Sequence, residues 1–147
     1  MKKLEITYKG KPLTISYFLH RGRKETILYL HGLGCTKSDF INAIQVESLQ
    51  AHTLIGFDFP GHGESSHSEN LGMDDLVEIT NLFAEKLNLD HFILIGHSMG
   101  GLVALLFAEK YAEKVKAFIN IEGNLNADDC FFSREVIKHS LDDFVHY

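Results

Sequence analysis

The strongest constraint on the fold of this chain is an alternation of short apolar runs with segments of helical spacing. Four runs are dense in Ile, Leu, Val and Phe and nearly continuous in apolar character, at residues 26–31, 53–59, 91–97 and 116–122. Runs of this length and composition predict strands that are covered on both faces of a sheet. Because strands that alternate with helices form a parallel sheet through right-handed crossovers, the sequence predicts an α/β fold.

The chain begins differently, with a predicted hairpin. In residues 4–19, β-branched and aromatic side chains flank a Gly/Pro break at 10–12, a pattern typical of two strands joined by a turn. Helical spacing follows in three segments, at 36–44, 74–87 and 98–110. The first of these begins with a variant capping box at Thr36 and Asp39. We therefore expect a mostly parallel sheet with an antiparallel N-terminal hairpin and helices on both faces.

The composition excludes several classes of function. A net charge of -6 and a pI near 5.8 are unlike those of a nucleic-acid or anionic-membrane surface, which needs clustered Lys and Arg. The longest apolar stretch, at 102–108, is far shorter than the roughly 20 residues that span a bilayer, and residues 1–10 lack a signal-peptide core. Cys35 and Cys130 form no disulfide or metal-binding pattern. We expect a cytoplasmic protein without a metal site, a cofactor, a nucleic-acid partner or a membrane span.

The motif "GHSMGG" at 96–101 places Ser98 between a predicted buried strand and a predicted buried helix. This is the setting of a nucleophile elbow, a strained turn that brings the positions two before and two after the serine into contact. Only small residues fit there, and Gly96 and Gly100 meet the requirement. The alternative interpretation is a serine that caps a helix after a glycine-rich turn.

Two further motifs follow strand ends. In "HGLGCT" at 31–36, two glycines let the backbone turn so that an N–H faces a developing oxyanion, with Leu33 as one donor and Met99, just after Ser98, as the other. In "DFPGHGES" at 58–65, the favoured interpretation is a structural loop that Asp58 and His62 hold in place.

The order and spacing of "HGLG", "DFPGHGES" and "GHSMGG" resemble the α/β-hydrolase fold superfamily, over residues from about 12 to 123. The resemblance implies acyl transfer through a Ser-His-acid triad, with Ser98 as nucleophile and Leu33 and Met99 at the oxyanion-hole positions. It also divides the chain into the N-terminal part of a hydrolase core, 1–123, and the start of a cap or lid, 124–147. In that tail, the spacing predicts a helix at about 127–141.

The chain departs from the family pattern because it ends before two further strands and the histidine that follows them. His97 adjoins the nucleophile and cannot easily turn onto it, and only His139 and His146, in the tail, remain as unusual alternatives. Glu122 stands at the carboxyl end of the strand next to the nucleophile strand, where some family members carry the triad acid. The alternative is a loop carboxylate that caps the tail helix or pairs with a lysine.

These observations predict a serine hydrolase that acts on a carboxylic ester or a related small acyl substrate, with this chain inactive by itself. Two alternatives stay open: a non-catalytic, truncated hydrolase-like protein, and a carbon–carbon bond hydrolase or lyase on the same site. The run 116–122 is expected to form an open apolar sheet edge, so we also expect self-association.

Overall fold

The computed structural model describes residues 1–68 and 70–123, together with Asp129 and Lys138. Within this part of the chain the strands are β1 (Lys2–Tyr8), β2 (Lys11–His20), β3 (Thr26–Leu30), β4 (Thr53–Phe57), β5 (Phe92–His97) and β6 (Val115–Ile121). The α-helices are α1 (Met73–Lys86) and α2 (Met99–Lys110). Short 3₁₀ helices cover Lys37–Gln45, Glu47–Leu49 and Ala112–Lys114.

The six strands form one sheet in the order β1-β2-β4-β3-β5-β6. The pairs β1–β2 and β2–β4 are antiparallel, and the pairs β3–β4, β3–β5 and β5–β6 are parallel. The predicted fold class, a mostly parallel sheet that begins with an antiparallel hairpin, is therefore confirmed.

The hairpin turn lies slightly earlier than the sequence suggested. It consists of Lys9 and Gly10, whose φ angles are 48° and 74°, while Pro12 already pairs with Thr7 in the ladder. Two residues of positive φ make the kind of turn whose twist matches that of the flanking strands. The Gly/Pro break was thus a correct signal for the turn, but the proline belongs to β2.

Helical layers cover both faces of the sheet, as predicted. In β3, Leu28 and Leu30 face the core beneath α1 and α2, whereas Ile27 and Tyr29 face the opposite side. The first side includes aromatic residues packed closely together, such as Phe57 and Phe83 with ring centroids 4.4 Å apart. Strand side chains alternate between faces, so a strand buried on both sides must be apolar throughout.

The layer on the second face differs from the expected α-helix. Residues Lys37–Gln45 form a 3₁₀ helix, which places Phe40, Ile41 and Ile44 against the sheet. Its start is the predicted capping box: the Ser38 N–H donates to the Thr36 hydroxyl at 3.2 Å, and the Thr36 N–H donates to the Asp39 carboxylate at 3.1 Å. Spacing of apolar residues at three and four positions does not separate the two helix types over so short a segment.

Parallel pairing places the carboxyl ends of β3, β4, β5 and β6 along the same side of the sheet, at the ends of the strands. The segments that leave those ends are the four that carry the sequence motifs, at 31–36, 58–65, 98–101 and 122–123. Such an edge is where open α/β sheets bind ligands. The candidate site is therefore assembled by the topology alone.

β6 is the last strand of the sheet within the described residues. Its Ile119 and Ile121 side chains remain 47% and 42% exposed. The open apolar edge that the sequence predicted is thus present in the part of the chain that the structure describes. Apart from Asp129 and Lys138, the helix predicted at 127–141 and the cap assignment of 124–147 lie outside the described residues.

Candidate active site

Ser98 occupies the sharp turn between β5 and α2. Its backbone has φ 50° and ψ -120°, a combination that L-residues rarely adopt and that stores strain. The Ser98 side chain makes no capping hydrogen bond to α2. The alternative interpretation, a serine whose hydroxyl caps the helix, is therefore wrong. The turn, hereafter the elbow, has the strained strand-turn-helix geometry that the motif predicted.

The two predicted glycines are required by close backbone contacts. A Cβ atom on Gly96 would overlap the carbonyl of Gly100, and one on Gly100 would overlap the carbonyls of Leu30 and His31. These overlaps involve backbone atoms, which cannot move aside as a flexible side chain can. The contact between positions two before and two after Ser98 is the one that the motif predicted.

Of the two residues predicted for the oxyanion hole, Met99 follows Ser98 in the chain and Leu33 lies in a loop that passes beside Ser98. Met99 is the first residue of α2, so its N–H has no acceptor within the helix. The loop that carries Leu33 passes close by: a Cβ on Gly32 would lie 3.2 Å from the Ser98 Cβ. The turn in this loop is closed by the Cys35 N–H, which donates to Gly32 O at 3.2 Å, and Leu33 itself is 73% exposed.

Glu122 lies beside the elbow at the end of β6. Its carboxylate is 3.9 Å from the His97 Nε2 atom, and its side chain is 85% exposed. The residue has a φ of 53°, and the carbonyl of the preceding Ile121 accepts a hydrogen bond from the Ser98 N–H at 2.9 Å. The residue that precedes the acid candidate is therefore joined to Ser98 by one backbone hydrogen bond.

No histidine ring in the described part of the chain forms a hydrogen bond with the Ser98 hydroxyl. Most of these rings contact other groups. Three lie against backbone carbonyls, in the pairs His20–Gln50, His31–Gly32 and His62–Pro60. Three lie near carboxylates, in the pairs His52–Glu25, His91–Asp90 and His97–Glu122. His67 lies at a separate surface cleft beside Lys11 and Pro12. His139 and His146 fall outside the described residues.

Asp58, for which the sequence favours a structural role, is fully buried and accepts hydrogen bonds from the neighbouring loops. Its carboxylate receives the backbone N–H of Lys37 at 2.8 Å, the Lys37 ammonium at 2.6 Å and the N–H of Glu64 at 2.9 Å. Burial by itself raises the pKa of Asp58, but these hydrogen bonds hold its pKa below the ordinary value. The group is therefore an ionised anchor of two loops.

Two residues of this region have structural roles that the sequence motifs do not indicate. Lys37 follows a helix cap, where lysine is ordinarily solvated, yet its side chain is 2% exposed. Asn120 uses its amide to bond both the carbonyl and the N–H of Gly123, at 3.0 and 3.1 Å, and so fixes the turn that contains Glu122. Only Asn120 carried a signal, as a polar residue inside an otherwise apolar run.

Among the described residues, no three His, Cys, Asp or Glu side chains come together as a metal site. In the same part of the chain, none of the helices has the length and apolarity needed to cross a bilayer.

Several known proteins are similar in sequence to this chain. A Mycoplasma genitalium protein named as an esterase/lipase is 32% identical over 145 residues, which cover 91% of this chain and 53% of the relative. The human monoacylglycerol lipase ABHD6 is 32% identical over 115 residues, covering 76% of this chain and 31% of that protein. The chain thus spans about half, or less, of the length of these relatives.

Solved structures share the fold. A thermophilic esterase from Thermogutta terrifontis superposes with a TM-score of 0.80 at 21% identity, over 93% of this chain and 52% of that one. A probable hydrolytic enzyme from Pseudomonas aeruginosa gives a TM-score of 0.76 at 23% identity, over 99% of this chain and 52% of that one.

The family model for the alpha/beta hydrolase fold matches residues 25–145, a range that contains the elbow, the loop at 31–36 and the loop at 58–65. Since that match covers most of the chain and agrees with the strand order and the turn at Ser98, this protein belongs to the α/β-hydrolase family.

Proposed function

We propose that Ser98 is the nucleophile of a serine hydrolase that acts on a carboxylic ester or a related acyl substrate. The observation that carries the proposal is the strained backbone of Ser98, with φ 50°, on a serine whose side chain makes no capping bond. Strain at a non-glycine residue persists where the surrounding structure enforces it, and it is concentrated at functional sites. The esterase and lipase names of the relatives favour ester substrates.

In the proposed reaction, the Ser98 Oγ attacks the carbonyl carbon of the ester and its proton passes to a histidine base. The N–H groups of Leu33 and Met99 stabilise the oxyanion, aided by the positive end of the α2 dipole. The alcohol then leaves with that proton, and water releases the acid from the acyl-enzyme. Glu122 is proposed to orient the histidine and to stabilise its charged form.

We propose that the base is a histidine outside the described residues, because no described histidine bonds to the Ser98 hydroxyl. We further propose that neither of the tail histidines, His139 and His146, takes this role. Because a hydroxyl without a base is a weak nucleophile, the 147-residue chain is then expected to have no measurable esterase activity by itself. Segment 124–147 is proposed to begin a cap over the site. We further propose a reducing, cytoplasmic location, which suits the free thiol of Cys35.

Reaction with a fluorophosphonate probe tests the nucleophile directly. Dissolved imidazole is supplied as the base, and peptide mass spectrometry identifies the labelled serine. Ser98 is expected to react in the folded chain, and S98A to remain unlabelled, while S38A, which alters an exposed serine, should label like the wild type. Labelling of another serine, or of none, would contradict the proposal and favour the non-catalytic alternative.

A further inference from the structure

The loop that carries Leu33 is hydrogen-bonded at both of its ends to two consecutive residues, Asp58 and Phe59. At its start, the His31 Nε2 atom accepts a hydrogen bond from the Phe59 N–H at 3.0 Å. At its end, the Lys37 N–H donates to the Asp58 carboxylate at 2.8 Å. The short segment 58–59 therefore sets where the whole loop 31–37 begins and ends.

Contacts of Leu33 itself do little to fix the position of its N–H. Its side chain is 73% exposed, so core packing does not hold it. The hydrogen bond that closes the local turn is donated by Cys35 rather than by Leu33. The position of the Leu33 N–H therefore depends on the hydrogen bonds at the two ends of the loop.

This loop also lies directly beside the nucleophile. A Cβ built on Gly32 would be 3.2 Å from the Ser98 Cβ and 3.0 Å from the His97 Nδ1 atom. A shift of the loop by an ångström would therefore change the distance between the Leu33 N–H and any oxyanion formed on Ser98. Displacements of that size cost about 100-fold in rate in enzymes.

Of the two fastenings, the one at Asp58 is the stronger. The carboxylate is fully buried and ionised, and the Lys37 ammonium that neutralises it is 2.6 Å away and almost as buried. Glu64 lies 3.1 Å from the same ammonium and also receives the Ser16 hydroxyl at 3.0 Å. Buried charges of this kind have few alternative arrangements, because an unpaired charge in the interior is costly.

We propose that Asp58 is a positioning residue for the oxyanion hole, which it serves by anchoring the end of the 31–37 loop through the Lys37 backbone N–H. The proposal rests on the proposed role of Ser98 as nucleophile.

A pair of double variants isolates the anchor from the buried charges. K37M/D58N and K37M/D58L both remove the ion pair and preserve side-chain volume. Only the asparagine retains an oxygen that can accept from the backbone N–H at position 37. The comparison therefore tests the hydrogen-bonding capacity of position 58, while the loss of charge is the same in both variants.

The first measurement is amide hydrogen exchange at residues 32–36, made without any probe. We expect faster exchange in K37M/D58L than in K37M/D58N, with equal exchange in α1 as the control for general loosening. Equal exchange in the loop of both variants would overturn the anchoring, whatever Ser98 does.

The second measurement is the fluorophosphonate reaction at Ser98 with imidazole, in which the hydroxyl attacks phosphorus, fluoride leaves and imidazole takes the proton. K37M/D58L should show a maximal labelling rate roughly 10- to 100-fold below that of K37M/D58N, with an unchanged half-saturating probe concentration. A purely structural role would instead leave the two maximal rates equal, and this would overturn the proposal. If the wild type is not labelled at Ser98, the proposed function itself fails and the positioning role falls with it, even where the exchange data show the anchor.

Discussion

Replacement of Ser98 by glycine is expected to stabilise this fold while removing its proposed nucleophile. The backbone at Ser98, with φ 50° and ψ -120°, is the mirror image of an ordinary extended conformation. Glycine has no Cβ, so it adopts both mirror images about equally. The same turn that strains serine is therefore relaxed for glycine, and S98G tests whether the elbow is strained at all.

The size of the effect follows from two opposing terms. A non-glycine residue in such a sparsely populated region costs about 1–3 kcal/mol, which glycine recovers. Glycine loses about 0.5–1 kcal/mol more backbone entropy than alanine on folding. S98G should consequently be more stable than S98A by roughly 0.5–2 kcal/mol, or about 1–8 °C in melting temperature for a chain of this size. S98A is the proper reference because it keeps the Cβ, and thus the strain, but lacks the hydroxyl.

Urea unfolding, followed by circular dichroism, measures this difference at protein concentrations where the chain is monomeric. Ser38 provides a matched control, since it is an exposed serine inside the 3₁₀ helix Lys37–Gln45. There the backbone is ordinary, so S38G should be less stable than S38A. An S98G variant no more stable than S98A would refute the strain, and with it the main structural support for the elbow.

Three further changes have defined outcomes. Burial lowers the pKa of the folded-state His31 below its usual 6.5. As the pH falls through that value the unfolded chain binds more protons than the folded chain, so the free energy of unfolding should decrease between about pH 7 and pH 5. In H31Q, measured by urea unfolding, the free energy of unfolding should lose most of this dependence on pH. Joined to a segment that supplies the histidine, E122Q should lower ester turnover by about 10³–10⁴ with the fold unchanged by circular dichroism, whereas unaltered turnover would place the acid elsewhere. I119K, which adds a charge to the exposed face of β6, should reduce self-association in sedimentation velocity, and an unchanged distribution of species would show that β6 is not the contact.

The sequence predicted the fold well because its signals are local. Each parallel strand is a short apolar run that ends in a glycine-containing or polar turn, and those runs matched the strands to within one or two residues. The elbow was predictable for a related reason: Gly96 and Gly100 are demanded by backbone contacts within the turn and its immediate neighbours. A requirement that acts through the backbone leaves a mark in the sequence, because only one residue type satisfies it.

The polar framework of the site could not be predicted in the same way. The contact between Lys37 and Asp58 joins positions 21 residues apart, and a lysine after a capping threonine is ordinarily exposed. Nothing local distinguishes it from the other lysines of the chain. Whether a charged group is buried depends on which loops meet at the carboxyl ends of the strands. That arrangement follows from the topology of the sheet and not from spacing along the chain.

β6 has a double role that connects the open edge of the sheet to the chemistry of the elbow. The carbonyl of Ile121 accepts the Ser98 N–H. In the first turn of α2, a Cβ built on Gly101 would overlap the Asn120 side chain and lie 2.9 Å from the Gly123 Cα. The contacts that hold Ser98 in its strained conformation therefore come in part from a strand that is itself paired on one side only within the described residues. If β6 separated from β5, the elbow would lose these contacts and Ser98 could relax to an ordinary backbone conformation. A strand that paired with the outer edge of β6 would therefore also stabilise the strained backbone of Ser98. Under the proposed function, the stability of this sheet edge and the geometry of the nucleophile are coupled.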